Sequence, residues 1–320
     1  MYNYLSRQDR YGDNSYKDQG TLTEWRPGMK AQRKKKSGGN IYIPFPGRVE
    51  KIFKKTGDVN LYRLKTANPI SYSPGQFFMV SLWGVGEVPI SIASLQERKD
   101  TIEFCIRKAG FVTGAIHSLK EDETLWLRGP YGNGFSTDSV RGRDVVVVAG
   151  GIGIVPLRPI IQWLIKNRTD VKSVTLLCGS RTPDDVVFAD EVEEWRKGGI
   201  KVVVTVDRGR SGWTGNVGLV TTLWPEARVD YKESVAFICG PEIMIRAAMQ
   251  DLFFFGMPDE SIVTTLEAHM KCGIGKCGHC YASEKYVCSD GPVFTFKEIK
   301  EFALLEGYKR SFPFGSAPLS

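Results

Sequence analysis

From Ile41 onward the chain falls into short runs in which branched or aromatic residues alternate with polar ones. "PGRVEKIFKKTG", "LYRLKTA", "GQFFMVSLW", "VPISIAS", "TIEFCIRKA" and "ETLWLRGPYG" follow one another with Gly, Pro, Asn or Asp between them. A period of two puts apolar side chains on one face of a strand. Runs at this spacing predict a small antiparallel β-barrel over residues 41–140. Between the fifth and sixth runs, "TGAIHSLK" reads as a helix with Thr113 as its cap.

The texture changes after Arg143. "DVVVVAGG" is a continuous apolar strand of the kind buried in a parallel sheet. Helix "PLRPIIQWLIKN", opening near Pro156, is followed by strand "SVTLLCGS", helix "FADEVEEWRKG" and strand "KVVVTVD". Helix "NVGLVTTLW", strand "VAFICGP" and helix "EIMIRAAMQDLFFFG" complete the series. Strand and helix in alternation predict a doubly wound α/β parallel sheet over 143–265. Residues 1–40 have few branched apolar residues and read as an extension, disordered or in contact with a partner. Residues 266–300 form a cysteine-bearing segment and 301–320 a tail. There is no internal repeat.

Composition adds three exclusions. The longest apolar stretch, "VVVVAGGIGIVPL", is broken by glycines and falls short of the roughly 18 residues of a membrane span. The polar N-terminus is no secretory signal, so a cytoplasmic protein without disulfides is expected. The net charge of +7 comes from residues 1–60, which hold 13 Lys/Arg against 6 Asp/Glu. One short basic run, Arg33–Lys36, lacks any nucleic-acid motif around it, so a solvated arm that can lie on a partner subunit is the expectation.

The sharpest chemical signal is Cys272, Cys277, Cys280 and Cys288, spaced C-x4-C-x2-C-x7-C. Zinc ribbons favour paired CxxC knuckles, whereas C-x4-C-x2-C with a distant fourth cysteine is the plant-type [2Fe–2S] spacing. Gly273, Gly275 and Gly278 allow backbone N–H groups to turn toward sulfur. His279 lies within the loop and reads as a neighbour, not a ligand. A structural zinc, or thiols without metal, are the alternatives. Cys105 and Cys178 fall in strands and read as small core residues.

A second signal is the turn at Gly150, Gly151 and Gly153, which leaves a buried strand and opens a helix. That context suits a pyrophosphate held by close backbone approach and helix N–H groups. Glycines that serve strand–helix packing alone are the bland alternative. Ser180 and Arg181 in "LLCGSRTPDD", and Cys239, Gly240 and Pro241 in "FICGPEIM", end further strands at the same edge. Ligands of open α/β sheets bind outside the carboxyl ends of strands, which places an adenosine ribose or phosphate near Ser180 and Arg181.

Taken together, "GEVPISIAS", "GFVTGAIHSLK", "LRGPYGNGF", "AGGIGIVPLRPII", "GSRTPDD", "DRGRSGWTGNVG", "CGPEIMI" and "MKCGIGKCGHC" occur in an order that resembles the ferredoxin–NADP reductase superfamily. The resemblance covers about residues 45–300. It is nearer to the branch with a C-terminal [2Fe–2S] segment: electron-transfer subunits of dihydroorotate dehydrogenase, γ subunits of cytoplasmic nickel–iron hydrogenases (sulfhydrogenases) and the flavoprotein subunit of anaerobic sulfite reductase. This resemblance implies a flavin-binding barrel followed by a nicotinamide domain. Pro89, Ile90, Ser91 and Ile92 would line the flavin, and Arg107, Gly110, Val112 and Thr113 would take the FAD pyrophosphate. Asp207 would lie near the nicotinamide nucleotide and Cys239 beside the nicotinamide ring. The superfamily's Arg-x-Tyr-Ser is replaced here by Glu87-Val88-Pro89-Ile90-Ser91, which keeps FMN as the alternative to FAD.

The implied function is that of a diaphorase-type, NAD(P)H-linked oxidoreductase subunit. It would pass electrons between NAD or NADP, FAD and a [2Fe–2S] cluster, to or from other subunits of a redox complex. The resemblance offers a hydrogenase, a sulfite reductase or a heterodisulfide-reductase-like complex. Two rivals stand beside it: a free-standing NAD(P)H:ferredoxin-type reductase and a zinc-bearing nucleotide-binding module.

Overall fold

The computed structural model describes residues 40–282 and 284–305. The extension read over 1–40 lies outside them except for Asn40, as does the tail from residue 306 on. The strands of the first half are β1 (Phe45–Lys54), β2 (Val59–Thr66), β3 (Phe77–Leu82), β4 (Gly86–Ser91), β5 (Thr101–Arg107) and β6 (Thr124–Tyr131). Among the described residues they form an antiparallel sheet in the order β4-β3-β6-β1-β2-β5. An isolated bridge, Ile92 to Phe104, brings the end of β4 toward β5 and curls the sheet into a barrel. Tyr62, Phe78, Ile92, Ile102 and Phe104 fill its interior.

Between β5 and β6 runs helix α1 (Phe111–Ile116), which starts earlier than the sequence reading placed it. Its N-cap is Gly110, and Thr113 stands one turn inside. The reason is local: Thr113 Oγ1 accepts the N–H groups of both Ala109 and Gly110 at 2.9 Å, the inner half of a capping box.

The second half comprises β7 (Asp144–Gly150), α2 (Ile154–Lys166), β8 (Ser173–Ser180), α3 (Val192–Lys197), β9 (Lys201–Val206), β10 (Asn216–Val217), α4 (Trp224–Ala227), β11 (Ser234–Cys239), α5 (Glu242–Phe254) and β12 (Ile262–Thr265). Beyond it come β13 (Tyr281–Ala282), β14 (Lys285–Tyr286), α6 (Val287–Asp290), β15 (Val293–Thr295) and α7 (Phe296–Leu305). The sheet order is β10-β9-β8-β7-β11-β12-β15 among the described residues. All neighbours are parallel except β12 and β15. The stretch "NVGLVTTLW", expected to be one helix, divides into β10, a 3-10 turn over Val220–Leu223 and α4. Gly218, at φ +133°, separates the strand from the turn.

Two further elements escape the alternation pattern. β12 is four residues long and β15 three, too short for periodicity to register. Their antiparallel pairing roots the cysteine segment in the sheet at both ends, because residues 266–292 leave from β12 and return into β15.

Within β7, Val145, Val147 and Ala149 join the apolar cluster under α2, and Val146 and Val148 join the one under α5. This second cluster extends beyond the sheet. It includes Phe77, Met79 and Tyr131 of the barrel and Cys280, Val287 and Cys288 of the cysteine segment. Barrel, sheet and cysteine segment therefore share one apolar contact. Among the described residues no helix is long and apolar enough to cross a membrane.

Candidate functional site

The four thiols of the cysteine loop are neighbours: Cys277 lies beside Cys272, and Cys288 lies beside both Cys280 and Cys272. Among the described residues, no three or more metal-ligating side chains gather about a single point. Four thiols in one loop are the donor set of a binuclear iron–sulfur cluster or of a tetrahedral zinc, and the C-x4-C-x2-C spacing is that of the cluster. The backbone supplies the rest. N–H groups of Ile274, Lys276 and Cys277 point at Cys272 Sγ at 3.5, 3.3 and 3.4 Å, and that of Gly275 at Cys288 Sγ at 3.1 Å.

This loop is possible because Gly273, Gly275 and Gly278 take φ of +75°, +70° and +81°. Thiol acidity follows the same N–H groups. Burial pushes Cys272 up, but its three backbone donors outweigh that and leave it below the usual thiol range. The His279 N–H and then the Cys272 side chain bring Cys277 down to about 7. Burial drives Cys288 up to about 12. The lowered pKa of Cys272 and Cys277 favours the thiolates that iron requires. His279 is exposed, with Nδ1 3.3 Å from the Cys277 carbonyl.

The loop is seated on the outer face of the barrel. An added Cβ on Gly273 would lie 2.9 Å from the Tyr131 ring and 3.1 Å from Met79. Met79 pairs in register with Pro89 of β4 on one side and Arg128 of β6 on the other. Directly opposite residues of an antiparallel ladder share a face, so Pro89, Met79 and the cysteine loop lie on the same side of the sheet. Asn133 fastens the seat from the loop after β6. Its Nδ2 donates to the carbonyls of Asp290 and Val293, and its Oδ1 accepts the Val293 N–H.

The residues that the resemblance assigned to a flavin divide by strand parity. Pro89 and Ser91 share the outward face with Glu87, whereas Val88 and Ile90 lean on the barrel core. Ile92 is completely buried there. Gly110, Val112 and Thr113 begin α1 next to β4, where an added Cβ on Gly86 would lie 2.9 Å from Val112. Arg107, at the end of β5, carries a buried Nε with no hydrogen bond, 3.4 Å from an Asp58 carboxylate oxygen. A buried guanidinium N–H left without a hydrogen bond fits an anionic ligand at that position. The glycine turn faces it, since an added Cβ on Gly151 would lie 4.0 Å from Arg107 Nη2.

On the sheet side, Gly150 and Gly240 bring the ends of β7 and β11 together. A Cβ on Gly240 would stand 3.0 Å from the Gly150 backbone. Gly153 opens α2 with no capping side chain and no acidic residue in the first turn. The ends of β8 and β9 are tied by Asp207 N–H to the Ser180 carbonyl and by Arg208 N–H to that of Arg181, at 2.9 and 3.0 Å. Ser180 is buried with its hydroxyl toward the Asp185 carbonyl, whereas Arg181 and Asp207 are exposed. Pro241 caps α5 beside Cys239. Cys239 is buried and accepts a hydrogen bond from Thr265 Oγ1 at 2.9 Å; burial pushes its thiol up to about 12, so it stays neutral.

Sequence reasoning passed over Arg128, Met79, Tyr131, Asn133 and Thr265, and met Glu87 only as a departure from the superfamily's flavin motif. They join segments far apart in the chain, and "LRGPYGNGF" registered only as part of a resemblance. It also passed over the charged contact between barrel and sheet. Arg158 of α2 donates to Glu103 of β5 at 2.8 Å and to Glu191 at 2.7 Å. Lys55 follows β1 and reaches Asp190 and Glu191 at 2.6 and 3.3 Å.

Comparison with known proteins agrees with this division. Residues 46–135 match the oxidoreductase FAD-binding domain and 147–250 the oxidoreductase NAD-binding domain. Residues 267–300 match the iron–sulfur cluster binding domain of dihydroorotate dehydrogenase B. Sulfhydrogenase 1 subunit gamma of Pyrococcus furiosus is 38% identical over 273 residues, covering 81% of this chain and 93% of that protein. A probable dihydroorotate dehydrogenase B (NAD(+)) electron transfer subunit of Thermococcus kodakarensis is 35% identical over 251 residues, covering 78% and 96%. Among solved structures, an NADH-dependent reduced ferredoxin–NADP oxidoreductase, studied for flavin-based electron bifurcation, superposes with a TM-score of 0.65 at 25% identity. It covers 82% of this chain and 95% of its own.

Proposed function

Because the chain belongs to the family of FAD- and NAD-binding electron-transfer subunits that carry an iron–sulfur segment, we propose that it relays electrons between NAD(P)H and a partner redox enzyme. The observation that carries this reading is the convergence on β3. Met79 has the flavin-strand residue Pro89 beside it and the cysteine loop against it. When bound, the nicotinamide exchanges hydride, the cluster exchanges single electrons and FAD exchanges both.

The chain's own part is position and environment. Gly150, Gly151 and Gly153, with Gly240 and Pro241, form the close-approach cradle for the dinucleotide, Ser180 and Arg181 line its adenosine end, and Asp207 lies near the nicotinamide nucleotide. Cys239, neutral and held by Thr265, presents a soft, uncharged surface to a nicotinamide ring. Hydride transfer needs no acid or base there, only orientation. Pro89 and Ser91 face the flavin from β4, with Ile90 and Ile92 backing them from the barrel core, and Arg107 with the Gly110–Thr113 turn meets the FAD phosphates. Cys272, Cys277, Cys280 and Cys288 hold the iron, with backbone N–H groups balancing sulfur charge.

In the same proposal the partner is the catalytic subunit of a larger complex, a hydrogenase first, and the complex is cytoplasmic. The basic residues 1–40 help grip it. Deleting residues 1–38 is expected to lower co-purification of the partner, and unchanged assembly would refute that role.

The test of the whole is anaerobic purification of the native chain, identification of what comes with it, and titration with NADH and with NADPH. Iron and acid-labile sulfide, bleaching of the flavin band and an axial or rhombic electron paramagnetic resonance (EPR) signal on reduction are expected. A chain without iron, or a flavin that stays oxidised with both nucleotides, would overturn the proposal. Full turnover with soluble ferredoxin and no associated subunit would favour the free-standing reductase instead.

A further inference from the structure

We propose that Arg128 is a positioning residue that locks the iron–sulfur segment to the flavin strand and sets the charge felt by the cluster. The inference rests on the functional reading above, in which the four cysteines hold iron.

Arg128 stands on β6 and reaches two distant parts of the chain. One edge of its guanidinium, Nε and Nη2, donates to both carboxylate oxygens of Glu87 at 2.9 and 2.6 Å. Glu87 lies on β4 two residues before Pro89, on the same face of the strand. The remaining nitrogen, Nη1, donates to the Cys272 carbonyl at 3.1 Å and to the Tyr131 hydroxyl at 3.2 Å. Tyr131 passes the contact on, donating to the Ile41 carbonyl at 2.6 Å. The pair is largely withdrawn from solvent, with side chains 11% and 27% exposed.

Two physical points separate this from an ordinary ion pair. A withdrawn salt bridge roughly breaks even on stability, since desolvation offsets attraction. Its value is geometric: a planar fork fixes the carboxylate with one edge and leaves the other edge for a carbonyl, which an ammonium cannot do. The carbonyl it holds belongs to the first cysteine of the loop, the one whose sulfur already receives three N–H groups. The second point is charge. A cluster becomes more negative on reduction, so a cation fixed beside it favours the reduced form, and Glu87 acts in the opposite sense.

The test uses the full-length chain with its flavin and cluster, prepared anaerobically, and follows the cluster by EPR-monitored redox titration and by iron release to a chelator. Arg128→Met is expected to lower the cluster midpoint potential and to speed iron release about tenfold or more. Arg128→Lys is expected to restore the potential, because the charge returns, but not the iron retention, because the fork does not. Glu87→Gln is expected to raise the potential with the cluster in place.

A wild-type potential and iron-release rate in Arg128→Met would overturn the inference. If that variant fails to fold, Glu87→Gln decides, and an unshifted potential there overturns it equally. A wild-type chain with no iron at all would instead remove the functional reading beneath it.

Discussion

At Gly153 an added Cβ would overlap the carbonyl oxygen of Cys239, a backbone atom of the neighbouring strand that has nowhere to go. Gly153→Ala is therefore expected to cost about 1–3 kcal/mol, the usual range for overpacking, and to push the glycine turn away from β11. Urea unfolding should show the loss, and flavin bleaching by NAD(P)H should slow while flavin content holds. Arg107 makes the complementary case, a guanidinium whose Nε lies 3.4 Å from Asp58 yet makes no hydrogen bond. Since hydrogen bonds to charged groups contribute about 1.5–3 kcal/mol, Arg107→Gln is expected to weaken FAD retention at least about tenfold. FAD rebinding to the flavin-stripped chain, followed by fluorescence, checks this. An unchanged affinity would place the phosphates elsewhere. Residues of these two kinds differ in legibility. Gly153 sits in a strand–turn–helix pattern visible in sequence, and the cysteine spacing is a pattern of its own. Arg128 and Asn133 are ordinary polar residues until folding sets Cys272 and Val293 against them.

Elements that are long or strongly patterned, such as β7, β8, α2 and α5, were readable because burial on both faces or along one stripe demands continuous or periodic apolar residues. The short ones were not. β12 and β15 have too few residues to show a period, yet they decide where the cysteine segment begins and ends. Contacts between elements were equally hidden. Arg158 looked like one more charge in "LRPII", but it lies buried between Glu103 and Glu191, with its guanidinium 4.9 Å from the Phe188 ring centroid. Removing it leaves Glu103 with Arg63 and Glu191 with Lys55 at the contact between barrel and sheet. Arg158→Ala is expected to destabilise by about 1.5–3 kcal/mol, the range for lost hydrogen bonds to charged groups, seen as a lower urea midpoint. Glu103→Gln, which keeps an acceptor in place, should lose much less. Equal losses in both variants would mean that the network is not an interdomain brace.

For the whole molecule, buried acidic groups set the alkaline limit. Burial raises Cys105, Cys178 and Cys239 from an ordinary 9.0 to about 12, and Tyr72 from 10.0 to about 12. Above pH 9 the unfolded chain releases these protons while the folded one keeps them, so the unfolded state binds fewer and stability falls as pH rises. Below the unfolded values the contribution is whole; it is lost progressively up to about pH 12. Melting temperatures should hold from pH 7 to 8.5 and decline steadily above 9, and a flat profile to pH 11 would show these groups to be solvated. By itself, the sequence determined the barrel and the doubly wound sheet, and the spacing in the cysteine segment pointed to iron–sulfur chemistry. Each is written in local period, local composition or fixed spacing. Only tertiary structure decided how the three meet: the cysteine loop rooted between β12 and β15, seated on Met79 and Tyr131, and bridged by Arg128 to Glu87. Those contacts join residues up to 194 positions apart, from Met79 to Gly273, and a distance that long leaves no periodic trace in a chain; only the packing of apolar faces chooses it.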